Sequence, residues 1–301
     1  MMSPFTPFFR VESAYMDEVY HIPQAQRFCI NDFAHWDPKI TTFPGLYLLS
    51  AGLHFILKRL IGESDSSTCS LSFLRNINVT LGVVLGFLFY YCRRYILVKI
   101  NKGKNNMTLD AILLALLLFL YPPSFFYYFL YYTDTLSTLT ILLVYWMTLH
   151  HNTSSTNFAP PSSLFSASFS SSLILSLSSS SSSFLKQLIV LVVSSSSVLA
   201  RQTNVVWLLF FAGTSMLQHL ESKGIFRDNC FDFATFKRFV LALIMNAPTL
   251  ISETWPLLLP LLGFACFVVV NKGIVVGTYV FTQYIHYGTI LLKSESSIIL
   301  I

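Results

Sequence analysis

Between Tyr15 and Leu49 the chain carries Asp17 and Glu18 side by side, two histidines (His21 and His35), a buried-looking Arg27 and a Trp36-Asp37-Pro38 turn. A carboxylate held near a low-dielectric surface has a raised pKa and can serve as a general base at neutral pH. Adjacent side chains point in different directions, so one of the pair at most is expected in that role. The ordinary reading of such a dipeptide is a solvated acidic pair, and composition does not choose between the two. A second polar island is Arg201-Gln202-Thr203-Asn204, set between two apolar runs. An arginine at membrane depth faces a cavity, an anion or a carboxylate, or else snorkels to the interface. Its fixed charge and bidentate donors suit a phosphate. His21, His35 and Asp37 lack metal-ligand spacing, and no metal or cofactor is expected. No Walker motif, Rossmann glycine pattern or nucleophile elbow occurs.

Those polar stretches sit in an apolar chain. Hydrophobic residues make up 54% and charged residues 11%, with mean hydropathy +0.62. Soluble domains carry about 25% charged residues, so the expected class is an all-α polytopic membrane protein. The net charge of +5 falls between apolar segments as a topology signal and implies no nucleic-acid partner. The five cysteines show no metal or redox spacing. Cys29 and Cys69 could pair if both face an oxidising lumen, but two free thiols is the favoured expectation. Residues 1–14 hold no apolar run long enough for a signal peptide or a first membrane helix.

Pro23 suits the first turn of a helix ending near Cys29, and Pro38 closes an extended turn. Phe43–Ile61 is two-sided, with Leu46, Leu49, Leu53, Ile56 and Leu60 on one face and Ser50, His54 and Lys58 on another. That pattern predicts a helix lying in the membrane interface. About six spans follow: from Leu71 to Cys92, Thr108 to Tyr121, Tyr131 to Leu149, one from the serine-rich residues 162–197, Val205 to Leu220, and one in Phe239–Val270 broken by Pro248, Pro256 and Pro260. Basic clusters at Arg93–Lys104 and Lys223–Arg238 mark the cytoplasmic side. Residues 1–40, with three basic and five acidic residues, then fall on the opposite side. The sequons at Asn78, Asn106 and Asn152 lie in a span or the cytosol and are expected to stay unglycosylated. The organisation is a catalytic loop with interfacial helix (1–70), a bundle (71–270) and a divergent tail (271–301).

Five blocks, YMDEVYHIPQAQRFC, WDPKITTFPGLYLLS, LYYTDTLS, ARQTNVVW and FVVVNKGIVVG, run in that order from Tyr15 to Gly277. Together they resemble the dolichyl-phosphate-glucose-dependent α-1,2-glucosyltransferases of the endoplasmic reticulum. The resemblance implies a GT-C-type bundle, a multi-pass protein of that membrane, and a lumenal catalytic loop. It implies transfer of the terminal glucose from dolichyl phosphate glucose to the diglucosylated dolichyl-diphosphate glycan, by inversion. Asp17 falls where such enzymes place their first-loop acid, with Glu18 the second choice. His21, Gln24, Arg27, Trp36, Asp37, Arg201, Gln202 and Asn204 are the side chains expected to bind the two lipid-linked substrates. The family pattern has a membrane helix before YMDE, an Asp and a His-containing loop where this chain has Thr278-Tyr279-Val280, and further spans after it. The expectation is a member shortened at both ends, with a non-catalytic homologue that binds lipid or a partner as the alternative.

Overall fold

The computed structural model describes residues 13–61, 69–100, 108–151, 183–223 and 233–276. Among them all regular structure is helical: α1 (Glu18–Cys29), α2 (Gly45–Ile61), α3 (Leu71–Ile100), α4 (Thr108–Phe119), α5 (Pro122–Tyr128), α6 (Thr133–His151), α7 (Ser183–Ala200), α8 (Asn204–Ser222), α9 (Phe233–Met245) and α10 (Ala247–Asn271). Leu71–Val98 and Ala247–Asn271 are each long and apolar enough to cross a membrane. The pair α4–α5, bent by 69°, makes a third if counted as one span. The protein is an all-α polytopic membrane protein. The helices fall into two compact units. Among the described residues, one holds those up to 139, 199–202 and those from 266; the other holds those within 140–198 and 203–265.

In the first unit, α1 buries Glu18, His21, Ile22, Gln24, Ala25 and Phe28 on one stripe. This is helical spacing, but half the stripe is polar, so the helix docks through hydrogen bonds as well as apolar area. It stops because Asn31 takes a left-handed conformation (φ 65°), which asparagine tolerates. Asn31 N–H then donates to the Phe28 carbonyl at 3.0 Å and Asp32 N–H to that of Arg27 at 2.9 Å. That pairing is the Schellman termination. Pro23 lies in the second turn rather than the first: the helix begins at Glu18, because the Asp17 carbonyl already accepts from the N–H groups of Tyr20 and His21.

Cys29, the last residue of α1, is joined by a disulfide to Cys69, just before α3. The expectation of two free thiols is therefore corrected. Bridging a separation of 40 residues restricts the unfolded chain by about 4 kcal/mol on the chain-entropy account.

Further along, α3 presents Gly82 and Gly86 to aromatic rings. A methyl on Gly82 would lie 2.9 Å from the Tyr128 ring, and one on Gly86 would lie 2.9 Å from the Phe119 ring. Phe119 and Tyr128 stack on each other at 5.2 Å. The bent α4–α5 pair thus closes on a strip of α3 kept clear of side chains. Gly45, opening α2, meets backbone instead: a methyl there would be 2.6 Å from the Leu199 carbonyl carbon and 2.8 Å from Ala200 N.

Only part of the predicted face of α2 is covered. Leu46, Tyr47 and Ser50 are buried, whereas Phe55, Ile56, Leu57 and Leu60 are exposed. Ser50 was expected on the polar side. It lies inside because its hydroxyl finds the Leu46 carbonyl at 2.9 Å and the Tyr131 hydroxyl at 2.7 Å.

In the second unit, the stretch predicted as one proline-broken span is two helices that part at Asn246. Pro248 stands in the first turn of α10, where no backbone donor is needed. Pro256 and Pro260 stand inside an unbroken helix. An interior proline removes the bond to the carbonyl four residues earlier, which orphans Ser252 and Pro256. Both carbonyls are met from α7. Gln187 Nε2 donates to the Ser252 carbonyl at 3.3 Å, and Ser194 Oγ donates to that of Pro256 at 2.8 Å. Trp255 Nε1 donates to Gln187 Oε1 at 3.1 Å and fixes that amide. Ser196 and Ser197 bond back to Val192 and Ser194 in their own helix, as serines in apolar helices do.

Ser194→Ala should therefore cost about 1–3 kcal/mol, the penalty of a buried unpaired carbonyl, in denaturant unfolding of the detergent-solubilised chain. In a Pro260→Ala background the restored N–H reaches the same carbonyl, and the cost of Ser194→Ala should shrink towards zero.

Candidate active site

The N-terminal turn of α1 is built around Glu18, which is fully buried. Arg75 on α3 donates to it twice, Nε to Oε1 at 3.0 Å and an Nη to Oε2 at 2.5 Å. Tyr131 N–H adds a bond to Oε1 at 2.7 Å, and Tyr15 N–H adds one to Oε2 at 3.0 Å. Burial alone pushes the Glu18 carboxyl up. The Arg75 guanidinium and the two backbone N–H groups outweigh it and hold the group below its ordinary value. All its acceptor capacity is consumed. Glu18 is an ionised anchor rather than a base.

Asp17 is the opposite case. Its residue is exposed, and only its backbone is tied down, by an N–H bond to the Tyr132 hydroxyl at 2.7 Å. Met16 before it sits at φ 53°, a left-handed conformation that costs a side-chain-bearing residue about 1–2 kcal/mol. The flanking bonds from Tyr15 N–H and Asp17 N–H hold that turn in place. Tyr131 and Tyr132 are themselves set by Asn78 on α3, whose side-chain amide donates to the carbonyls of Leu130 (2.6 Å) and Tyr132 (2.8 Å). Asn78 is fully buried, which bars a glycan there; Asn106 and Asn152 lie outside the described residues.

One turn along, His21 is buried, with Nδ1 2.5 Å from the Tyr47 hydroxyl. Its ring lies edge-on to Tyr132 at 5.7 Å. Burial lowers its pKa, against the opposing pull of the Asp17, Asp134 and Glu18 carboxylates, so the ring is neutral at physiological pH. Burial also raises the Tyr47 phenol. A shared proton between two uncharged rings results.

Other expected residues divide into those that shape the loop and those that stand apart. Gln24 donates from Nε2 to the His35 carbonyl (2.8 Å) and accepts at Oε1 from Asp37 N–H (3.0 Å). Its amide is spent on pinning His35–Asp37. Trp36 donates to the Ile40 carbonyl at 3.1 Å and packs edge-on to Phe28 and Tyr47. Asp37 Oδ1 accepts from Lys39 N–H at 2.9 Å and so closes the Pro38 turn. Arg27, which looked buried from sequence, is exposed and pairs with Asp32 at 3.1 Å. It follows the helix end outward because the inner stripe passes through Gln24, Ala25 and Phe28 instead.

From the distant ARQTN block, Arg201 forms an ion pair with Asp134 at the start of α6, with roughly a third of each side chain exposed. Gln202 Nε2 donates to the Thr41 carbonyl at 2.5 Å, beside the close approach of Gly45 to Leu199. Asn204 belongs to the second unit, where it donates to the Ser197 carbonyl at 2.8 Å. Arg201, Gln202 and the YMDE turn thus share one unit. Sequence reasoning missed Arg75, Asn78, Tyr132 and Asp134. Arg75 looked like an ordinary residue of a span and Asn78 like an unused sequon within it, while Tyr132 and Asp134 stood within the LYYTDTLS block.

Glu18→Gln leaves Arg75 without its counter-charge and should cost about 3–5 kcal/mol, read as a lower unfolding midpoint in detergent. The pH dependence has a defined sign. Glu18 and His21 both have folded-state values below their ordinary ones of 4.5 and 6.5, so the folded state binds fewer protons. Stability should be full above about pH 6.5 and fall as pH drops. His21→Gln should flatten the upper part of that fall and leave the part below pH 4.5.

The profile of the DIE2/ALG10 family matches residues 11–286. A human protein named Dol-P-Glc:Glc(2)Man(9)GlcNAc(2)-PP-Dol alpha-1,2-glucosyltransferase is 31% identical over 299 residues, covering 91% of this chain and 54% of the relative. A rat protein of the same name is 42% identical over 95 residues, 31% of this chain and 20% of the relative. One from Arabidopsis thaliana is 44% identical over 92 residues, 29% and 18% respectively. This chain spans about half the length of the human relatives it matches along most of its own length. No solved structure matches. With the family profile covering most of the chain, and the YMDE turn, the LYYTDTLS block and Arg201-Gln202 in one unit, the chain belongs to the DIE2/ALG10 family.

Proposed function

We propose that this chain transfers glucose from dolichyl phosphate glucose to the diglucosylated dolichyl-diphosphate oligosaccharide, forming the terminal α-1,2 linkage in a GT-C-type bundle of the endoplasmic reticulum membrane. The observation that carries the reading is the division of labour at Asp17-Glu18, within a family whose curated members bear the name of that reaction. Glu18 is neutralised by Arg75, while Asp17 is left exposed on a braced turn. Inversion needs one in-line displacement. The acceptor 2-hydroxyl oxygen bonds to the anomeric carbon, the bond from that carbon to the phosphate oxygen breaks, and dolichyl phosphate leaves. Asp17 takes the hydroxyl proton.

Arg201 is the cation for the leaving phosphate. Roughly a third of each side chain in its pairing with Asp134 is open to solvent, and solvent-exposed pairs are weak enough to exchange partners. His21, Trp36 and Asp37 are the substrate-binding side chains of this reading, with Gln24 and Gln202 shaping the loop that holds Trp36 and Asp37. Arg27, paired with Asp32, and Asn204, which donates to the Ser197 carbonyl in the second unit, are left out of this substrate set. The Cys29–Cys69 disulfide supports a lumenal loop, since disulfides persist in oxidising compartments and are rare in the cytosol. The exposed Phe55, Ile56, Leu57 and Leu60 of α2 suit a helix resting in the interface beneath it.

Microsomes from cells lacking the native enzyme, complemented with this chain, should convert the two-glucose lipid-linked glycan to the three-glucose form. No conversion by a chain shown to be inserted would favour the non-catalytic homologue instead. Asp17→Asn should lower turnover by about 10²–10⁴-fold without changing membrane insertion; retained turnover would remove Asp17 as the base. A glycosylation tag fused to the N-terminus should be modified if residues 1–40 face the lumen.

A further inference from the structure

We infer that Tyr132 is a positioning residue for Asp17: its hydroxyl fixes the backbone from which the carboxylate projects and keeps Met16 in its left-handed turn. This rests on the reading of Asp17 as the base. Three observations converge on it. The Tyr132 hydroxyl is the partner that the structure gives to Asp17 N–H, at 2.7 Å across 115 residues of sequence. Tyr132 is itself buried and immobilised, its carbonyl held by Asn78 at 2.8 Å and its ring flanked by Tyr127 (5.3 Å) and His21 (5.7 Å). The turn it braces is strained, with Met16 at φ 53°.

A left-handed methionine relaxes to negative φ when nothing opposes it, and that rotation would swing the Asp17 side chain away from its present direction. Tyr15 N–H bonded to Glu18 holds one end of the turn. Asp17 N–H bonded to Tyr132 holds the other. Misplacing a reacting group by about 1 Å costs on the order of 10²-fold in rate, so a single hydroxyl outside the reacting atoms can carry a large effect. Phenylalanine at 132 keeps the ring packing and removes only that hydroxyl.

The test has two arms on the full chain. In the first, needing no activity, hydrogen exchange of the detergent-solubilised protein should show the Asp17 amide exchanging at least roughly tenfold faster in Tyr132→Phe. Amides of α3 should be unchanged. Unchanged exchange at Asp17 overturns the proposal, as does a general acceleration across α3, which would mark a purely structural role. In the second, turnover in complemented microsomes should fall about 10–100-fold in kcat with KM for the acceptor glycan little altered. Met16→Gly, which removes the strain, should recover at least a third of the logarithmic loss. A loss confined to KM, or an equal loss in both backgrounds, overturns it. If Asp17→Asn leaves turnover intact, the reading of the base has failed, and the exchange arm still reports whether the hydroxyl braces the turn.

Discussion

A buried carboxylate that has lost its water must be repaid in hydrogen bonds, and Glu18 sets the first unit's architecture through that demand. Its two oxygens draw in Arg75 from α3, the Tyr131 amide from the segment before α6, and the Tyr15 amide from its own approach. Three separate stretches of chain must therefore meet at one point. Everything that aims Asp17 outward is downstream of that meeting. The Tyr131–Tyr132 segment is held by Asn78, one turn along α3 from Arg75, so a single helix face supplies both the counter-charge and the brace.

That face continues as Gly82 and Gly86, which meet Tyr128 and Phe119. Along α3 the same stripe passes from charge, to amide, to bare backbone. Polar bonds define one end, where the first unit's acidic turn sits, and close aromatic packing defines the other. The division suits a helix that begins beside a polar loop and continues through an apolar environment, because hydrogen-bonding groups are costly away from the boundary.

Much of this was legible from sequence. Helix-period runs and basic loops located most helices, and the ordered blocks pointed to the family. The acidic pair stood out as well. What could not be read was which member of the pair did what, since the residues that decide it lie 57 and 113 positions away at Arg75 and Tyr131. Ser50 misled for a related reason: a hydroxyl reads as solvent-facing until a buried tyrosine is found opposite it. Cys29 and Cys69 carried no spacing rule, so their pairing depended on tertiary proximity alone. Proline was over-weighted in α10 because the cost of an interior proline is an orphaned carbonyl, and whether that carbonyl finds a donor is decided by another helix. Arg27 was misjudged because an amphipathic stripe with polar members does not announce which polar residues are inside.

The caps on α10 bear on how the serine-rich tract can change over time. Gln187 and Ser194 are seven residues apart, two helical turns, and their targets Ser252 and Pro256 are four apart along the facing helix. Repetitive tracts lengthen and shorten by slippage. A unit gained or lost before Ser183 leaves these two donors in step with the prolines opposite. The same event between Gln187 and Ser194 rotates one donor by about 100° relative to the other and uncaps a carbonyl. Within the run Ser194–Ser197 a shift brings another hydroxyl into the vacated place, so the repetition itself acts as a reserve of donors. Low complexity here is a form of tolerance, bounded by one short interval whose length is under constraint.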